Sequence, residues 1–234
     1  MTNEPIRLSK RLAAQVPCSR SEAERYIEGG WVRVDGQVVD VPQARVNPGQ
    51  VVTLASDASL LALMPVTLLF HQAAGSPLPT PTPANRWQED RSGIRVVAAQ
   101  LRQLAPLMPL PQGAGGLAIF SQDGRIVRKL TEDALLIEQE WMVDVDGQIA
   151  EGGLARLGRG LMWRGQPLPP IKVSWQSEHR LRFALKGIDP DMVPWMCEQV
   201  GLRVTQGRRL RVGRVPLAGL PPGQWRCLMP QERF

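Results

Sequence analysis

Histidine and cysteine, the side chains most often used for nucleophilic and metal chemistry, are sparse in this sequence. His71 and His179 are its two histidines, and no G-x-S-x-G pattern accompanies them, so a serine-based triad is not indicated. Cys18, Cys197 and Cys227 show no CxxC spacing, which argues against a zinc ribbon and against a disulfide framework. The sequence therefore predicts neither a metal ion nor a cofactor.

Two other patterns could indicate a ligand-binding site. Gly113, Gly115 and Gly116 are not followed by Lys-Ser/Thr, so a nucleotide-binding loop is not indicated. By contrast, a twelve-residue segment near the C-terminus contains five arginines, which are Arg203, Arg208, Arg209, Arg211 and Arg214. A guanidinium binds phosphate through two parallel hydrogen bonds, so this segment predicts contact with a polyanion. The alternative is a solvated strand edge.

Length and composition set the frame for these residues. The chain has 234 residues, which is enough for one or two domains. Its formal net charge of +6 favours a polyanionic partner. The polar start predicts no signal peptide, and the apolar run 60–70 is too short for a membrane span. We expect a cytoplasmic monomer that does not bind membranes.

The first 55 residues predict two short helices followed by small strands. Leu8 and Leu12 share one helical face, and Ser19 stands three residues before Glu22, which is the spacing of a capping box. The pair Asp35-Gly36 then predicts a tight hairpin.

This segment resembles the S4 RNA-binding domain. The resemblance rests on residues 7–12, 19–23, 26–30 and 32–36. It implies a small, αL-type domain whose two helices bind structured RNA. The basic positions that match are candidate phosphate contacts: Arg7, Lys10, Arg11, Arg20 and Arg25. Ordinary solvated helix charges are the alternative, because residues 1–55 have a net charge of only +1 from seven Lys/Arg and six Asp/Glu.

The rest of the chain predicts an α+β domain with a largely antiparallel, mixed sheet. The domain boundaries are set at 1–55, a linker over 56–64, and 65–234. Strands and helices interleave without a regular βαβ alternation. We expect helices over 94–104 and 126–136, and separate β segments over 202–205 and 210–212. The Pro-rich run 76–83 predicts an extended loop, either a flexible surface segment or a loop beside a substrate.

This second domain resembles the S4-containing ribosomal RNA pseudouridine synthases, the RsuA-like family. The resemblance rests on residues 116–124, 196–204 and 209–226, and on the order of the two domains. It implies structured ribosomal RNA as the partner, with no DNA, and it implies isomerisation of a uridine. In that family a carboxylate in a Gly-Arg-Leu-Asp segment performs the chemistry on a flipped-out base. A tyrosine packs on the base, and a basic residue orients the carboxylate.

The residues that match these chemical positions differ from the family pattern. Pro111 stands at the Asp position and Ala114 at the Thr position, and proline has no group that accepts a proton or attacks carbon. Trp141 stands at the Tyr position; it retains a stacking surface but lacks the hydroxyl. The third motif, over 186–195, has lost its run of arginines. The sequence therefore predicts a degenerate, non-catalytic member, a pseudoenzyme with no catalytic residue.

Three functions stay open at this point. The leading hypothesis is a non-catalytic RNA-binding protein that uses the arginines named above, including Arg208, Arg209, Arg211 and Arg214. The second is an active isomerase with a displaced carboxylate, for which Glu89, Asp90 and Asp189 are candidates. Asp123 matches a turn residue of the family, and we expect it to have a hairpin role. The third is a protein-interaction module that uses the former cleft.

Overall fold

The computed structural model describes residues 4–61 and 63–234. These divide into two compact units. The first unit is Met1–Pro65 with Arg95–Leu104, and the second unit is Val66–Ile94 with Ala105–Phe234. The sequence-based division had put residues 95–104 in the second domain. They group with the first unit because the Arg95 guanidinium lies 3.5 Å from the centroid of the Trp31 ring, and Gln100 donates to the Met64 carbonyl at 2.7 Å.

Helices are short throughout the described chain. Their bounds are α1 Leu8–Gln15, α2 Arg20–Glu28, α3 Ala98–Leu101, α4 Gly124–Glu132, α5 Gly153–Gly158 and α6 Val193–Glu198, with 3-10 turns at Pro83–Asn85, Ala134–Leu136 and Pro190–Met192. In residues 4–61 and 63–234, none of them has the length and apolarity needed to cross a bilayer.

Sixteen strands occur in the described residues, the first five in the first unit and the others in the second. In chain order they are β1 Ile6–Arg7, β2 Val32–Val34, β3 Gln37–Val38, β4 Arg45–Val46, β5 Val52–Leu54, β6 Thr67–Gln72, β7 Ala105–Leu107, β8 Gly115–Ser121, β9 Gln139–Gly147, β10 Met162–Trp163, β11 Gln166–Pro167, β12 Lys172–Ser177, β13 Arg180–Leu185, β14 Leu202–Val212, β15 Val215–Pro216 and β16 Trp225–Cys227.

Local sequence signals explain the first unit. Leu8 and Leu12 on α1 pack with Ala23 and Ile27 on α2, and all four are buried. The predicted capping box is present, because the Ser19 hydroxyl accepts from the Glu22 backbone N–H, and the Glu22 carboxylate accepts from the backbone N–H of Ser19. These hydrogen bonds lower the pKa of Glu22. Strands β3, β2 and β5 form a small antiparallel sheet beside the helices.

One mixed sheet organises the second unit. Its order is β12-β13-β9-β14-β8-β6-β16, with β15 beside β14 and β7 beside β8. The pairing of β14 with β8 is parallel and the other pairs in this sheet are antiparallel. The predicted α+β fold with a largely antiparallel mixed sheet is confirmed.

Three predicted elements differ from the observed ones. The helix expected over 94–104 is confined to α3, because Val97 is extended and its N–H is capped by the Gln100 side chain at 2.9 Å. The helix expected over 126–136 ends at Glu132 and is followed by a 3-10 turn. The two segments expected at 202–205 and 210–212 are one strand, β14, which pairs with β9 along its whole length and contains two register shifts.

Two hydrophobic cores support the sheet. One contains the inward side chains of β9 and β13 together with residues of α5 and α6, such as Trp141, Phe183 and Leu157. The other contains β7, β8 and the C-terminal segment, with Leu117 and Val212 fully buried. The loop 108–114 enters β8 between these cores, so the sheet positions this loop next to β9 and β14.

Candidate functional site

A cleft of about 210 Å³ lies where the loop before β8 meets β9, β14 and α6. It is lined by Pro111, Gln112, Gly113, Ala114, Trp141, Val143, Pro190, Val193, Pro194, Val204, Thr205, Gln206 and Gly207. The cleft therefore brings together the three segments that the sequence singled out: the loop with Pro111, the strand with Trp141, and the start of α6.

Backbone contacts hold the loop in place. The Ala114 N–H donates to the Pro111 carbonyl at 3.0 Å, and the Gly75 N–H donates to the Gly113 carbonyl at 3.1 Å. Gly116 has a φ of +104°, and a Cβ there would lie 2.6 Å from the Arg209 backbone nitrogen and collide with the Arg209 carbonyl oxygen. Only glycine fits this close approach of β8 to β14, which fixes where the loop ends.

Trp141 forms part of the cleft wall. Its ring is 3% exposed, and its indole N–H has no hydrogen-bond partner among the described residues. A Cβ added at Gly207 would lie 3.9 Å from the Trp141 ring, so the glycine leaves space next to the indole. The position expected for the family tyrosine therefore presents a flat apolar surface to the cleft.

Arg209 lies behind Trp141, with its Cζ 5.7 Å from the centroid of the indole. The side chain is 1% exposed; it donates to the Leu117 carbonyl at 2.8 Å and to the Gln139 amide oxygen at 3.2 Å. Burial lowers the pKa of Arg209 to about 9. One terminal nitrogen, Nη2, has no partner in the part of the chain that the structure describes.

None of the described residues that line the cleft is an Asp or a Glu. Asp90, a candidate for a displaced carboxylate, accepts hydrogen bonds from Arg86, the Ser92 N–H and the Cys227 N–H, so it is engaged in structural contacts. Asp123 caps α4 by accepting from the Arg125 N–H at 2.9 Å, so it begins a helix and does not form the hairpin turn expected from the sequence. Glu89 is exposed.

The acids nearest in sequence to the cleft lining are on either side of Pro190. The carboxylate of Asp189 accepts from the Asp191 N–H at 3.0 Å and caps the 3-10 turn that leads into α6. Burial, and secondarily the charge of Asp189, raise the pKa of Asp191. Asp191 is exposed, and neither acid is among the residues that line the cleft.

The candidate RNA contacts of the first unit lie mostly in solvent. Arg7, Lys10, Arg20 and Arg25 are exposed, whereas Arg11 is half-buried. Two of them have intramolecular contacts: Arg20 pairs with Glu24 at 3.5 Å, and Arg25 donates to the Leu60 carbonyl. Arg7 precedes α1 as its N-terminal flanking residue, so it lies at the end of that helix and not on its face.

The arginines near the C-terminus have different environments, and one expectation about them is wrong. Arg209 cannot bind RNA phosphate, because its guanidinium is enclosed in the protein. Arg211 is half-buried and donates to Glu138 at 2.6 Å and Glu140 at 3.1 Å. Arg208 and Arg214 are exposed.

A polar groove that the sequence did not reveal lies on the opposite face of β9. Its volume is about 330 Å³, and His71, Asp144, Arg180 and Arg208 are among its lining residues. Arg180 and Asp144 form an ion pair at 2.5 Å, and the His71 Nδ1–H donates to the Leu220 carbonyl at 2.7 Å. The alternation along β9 is the signal that could have revealed it, since Trp141 and Val143 line the cleft while Met142 and Asp144 line this groove.

Metal chemistry receives no support from the described residues. In 4–61 and 63–234, no group of three His, Cys, Asp or Glu side chains is placed to hold a metal ion. Cys197 and Cys227 are buried and unpaired, and burial raises the pKa of Cys197 to about 12.

Comparison with known proteins adds three findings about sequence. Residues 6–52 match the S4 domain family. The dual-specificity RNA pseudouridine synthase RluF of Escherichia coli (strain K12) is 28% identical over 99% of this chain and 78% of its own. An uncharacterised RNA pseudouridine synthase of Aquifex aeolicus (strain VF5) is 28% identical over 97% of this chain and 94% of its own.

One further relative and one solved structure are also pseudouridine synthases. The ribosomal large subunit pseudouridine synthase B of Salmonella typhi is 27% identical over 94% of this chain and 78% of its own. A crystal structure of a pseudouridylate synthase superimposes with a TM-score of 0.57 at 19% identity and covers 96% of both chains. That structure shares the fold of this chain.

Proposed function

We propose a function on the premise that the chain, an S4-domain protein, is a homologue of the RsuA-family RNA pseudouridine synthases. The proposed function is non-catalytic binding of structured ribosomal RNA, as a pseudoenzyme in the cytoplasm that helps ribosomal RNA to fold or assemble. Such a protein would hold an RNA segment without rearranging its uridines.

RNA binding is supported by the S4 domain and by free cationic side chains in both units. Lys10 and Arg7 are exposed next to α1, and Arg208 and Arg214 are exposed at and after β14. Contacts of this kind bind the phosphate backbone and carry little base information. The relative named ribosomal large subunit pseudouridine synthase B supports an RNA of the ribosome as the target.

The observation that carries the non-catalytic part is the lining of the cleft. Pro111 stands where the resemblance requires an aspartate, and no carboxylate is among the described residues of the lining. Prolines and small residues surround Trp141 instead. In the family that this chain resembles, a carboxylate performs the isomerisation, and the described residues that line the cleft include no Asp or Glu.

A tritium-release assay tests this proposal. Ribosomal RNA labelled with tritium at uridine C5 is incubated with the intact chain, and an active homologue serves as the positive control. We expect the chain to bind the RNA and to release no tritium above background. Release of one or more tritium atoms per protein molecule, abolished by a single Asp or Glu substitution, would falsify the non-catalytic proposal.

One observation favours the second candidate, an active synthase with a displaced carboxylate. Asp189 and Asp191 stand on either side of Pro190, which lines the cleft, and they are the acids nearest to the lining in sequence. The variants Asp189→Asn and Asp191→Asn are therefore the first to assay. If the protein is non-catalytic, we expect both variants to release tritium at the same background rate as the wild-type chain.

A further inference from the structure

The two-stranded hairpin β10–β11 projects from the second unit and has a surface that neither the S4 domain nor the cleft explains. Its tip carries Trp163, which is 37% exposed, and Met162, which is 55% exposed. Its base is fixed, because the Leu168 N–H donates to the Leu161 carbonyl at 2.9 Å, and Leu161 is buried in the core below β9. The hairpin is therefore an ordered projection with aromatic and apolar groups in solvent.

The aromatic group is held in one orientation. The Trp163 ring packs edge-to-face against Trp195 of α6, with centroids 4.8 Å apart and planes at 71°. Trp195 directly follows Pro194, which lines the cleft. An edge-to-face pair of this kind fixes the ring plane while part of the Trp163 indole stays exposed.

The turn places a cation beside that ring. Arg164 and Gly165 are the two central residues of the hairpin loop, with φ values of +48° and +79°. Such loops favour Asn-Gly or Asp-Gly, and a long side chain in the left-handed region is uncommon. The Arg164 guanidinium carbon lies 5.4 Å from the centroid of the Trp163 ring, and it forms no ion pair with the residues that the structure describes.

The charged side chains in the segment around the hairpin are all positive. Residues 152–177 contain Arg156, Arg159, Arg164 and Lys172 and no Asp or Glu. The three arginines are exposed. An anionic partner is therefore complementary to this segment, whereas a basic one would be repelled.

We propose that the hairpin Met162–Pro167 binds an unpaired nucleotide of RNA: the base stacks on Trp163 and Arg164 contacts the adjacent phosphate. Stacking on an aromatic ring with a neighbouring cation is a common way to hold single-stranded nucleic acid, and it tolerates any base. This inference rests on the proposed RNA-binding function. It adds a third contact surface to the S4 helices and the arginines of the C-terminal segment.

The test compares two RNA probes with the intact chain. One probe is a stem–loop with eight unpaired uridines, and the other is the same stem closed as a blunt duplex. Fluorescence anisotropy gives Kd for each probe over a range of salt concentrations. We expect Trp163→Ala to weaken binding of the stem–loop roughly 5- to 100-fold, which corresponds to the loss of one stacked base, and to leave binding of the duplex unchanged.

Two variants at Arg164 separate charge from backbone. Arg164→Gly suits the positive φ and removes the cation, so we expect the salt dependence of log Kd for the stem–loop to fall by about 0.7, while Arg164→Lys keeps the wild-type slope. The matched control is Arg128→Ala on α4, where an exposed arginine pairs with Glu132. A photo-crosslink from 4-thiouridine in the loop to the wild-type hairpin is a readout that needs no variant.

The outcomes are distinct. If the wild-type chain binds the stem–loop, but Trp163→Ala and Arg164→Gly bind it equally well and no crosslink maps to 162–167, the hairpin inference is wrong and the proposed function stands. If the wild-type chain binds neither probe nor ribosomal RNA, the proposed function fails and the inference fails with it.

Discussion

Arg208 and Arg209 are adjacent on β14, and their side chains have opposite environments. Alternation along a strand sends successive side chains to opposite faces of the sheet. Arg208 lines the polar groove with His71 and Asp144, whereas Arg209 is enclosed in the protein next to Trp141. The pair therefore offers an internal comparison between a cation that can bind phosphate and one that is part of the packing.

The first prediction uses this pair. Arg209→Met removes two buried hydrogen bonds to Leu117 and Gln139. We expect it to lower the free energy of unfolding by about 2 kcal/mol, because the acceptors lose their donors, and to leave the salt dependence of RNA binding unchanged. Arg208→Met should leave the free energy of unfolding unchanged and lower the slope of log affinity against log salt concentration by about 0.9.

Urea unfolding and RNA titrations at several salt concentrations measure both quantities. A salt slope that falls in Arg209→Met without a loss of stability would contradict the buried role. The sequence predicted the cluster of arginines but not this division. Local sequence patterns predict that all the arginines in such a run are exposed. The burial of Arg209 depends on Trp141 and Leu117, which lie 68 and 92 residues away in the chain.

At the scale of elements, the close contact of β8 with β14 determines where the loop 108–114 ends. Arg209 stands opposite Gly116 in this parallel pairing. The positive φ of Gly116 and the backbone that a Cβ would meet both require glycine. The position of Pro111 at the cleft therefore depends on a backbone contact more than on side-chain packing.

The second prediction tests that contact. Gly116→Ala should lower the free energy of unfolding by about 3 kcal/mol or more, because the methyl group would overlap the Arg209 backbone. Gly113→Ala is the matched control: its φ is +78°, but a Cβ there has open space, so about 1 kcal/mol is expected. Thermal unfolding of both variants measures the difference. Equal losses would mean that strain at positive φ alone accounts for both.

Elements with strong local signals could be predicted, and those defined by pairing could not. The capping box and the apolar pairs of α1 and α2 were readable because the contacts lie within four residues. The single strand β14 was read as two segments because Gln206–Arg208 interrupt its hydrophobic pattern, whereas its length is set by β9. The hairpin β10–β11 is not indicated by the sequence, because its loop is Arg164-Gly165 and lacks the Asn-Gly or Asp-Gly signal of such turns.

The candidate site was predictable only in part for the same reason. Pro111, Trp141 and the start of α6 were identified from a family pattern, and the structure brings them to one cleft. The lack of an Asp or Glu among the described lining residues could not be predicted, because Asp90 and Glu89 lie in loops whose direction no local rule specifies. Asp90 proved to be an anchor between the segment after the Pro-rich loop and the last strand.

At the scale of the molecule, this anchor links acid sensitivity to the whole second unit. Burial alone would raise the pKa of Asp90, but hydrogen bonds from Ser92, Arg86 and the Cys227 N–H outweigh it, so the net pKa is lowered. A carboxyl with a lowered folded pKa stabilises the fold above its unfolded value of about 3.9, and that contribution disappears as pH falls through the folded pKa.

The third prediction follows from that sign. Asp90→Asn should lower the free energy of unfolding at pH 7 by about 2 kcal/mol, because Arg86 loses its carboxylate partner. Between pH 4 and pH 2 the variant should lose less stability than the wild-type chain. Urea unfolding at pH 7, 4 and 3 measures this; Glu89→Gln, at an exposed neighbour, is the control. Parallel pH profiles for Asp90→Asn and the wild type would rule out the anchor as a source of acid sensitivity.

The fourth prediction concerns how the two units share one RNA. Each phosphate contact changes the slope of log affinity against log salt by about 0.7 on a single strand and about 0.9 on a B-form duplex. Arg7→Gln with Lys10→Gln removes two free cations from the first unit, and Arg208→Gln with Arg214→Gln removes two from the second. If both units bind the same RNA molecule, each pair lowers the slope and the fourfold variant lowers it by the sum. If the two pairs together lower it no further than one pair alone, a single unit binds the phosphates.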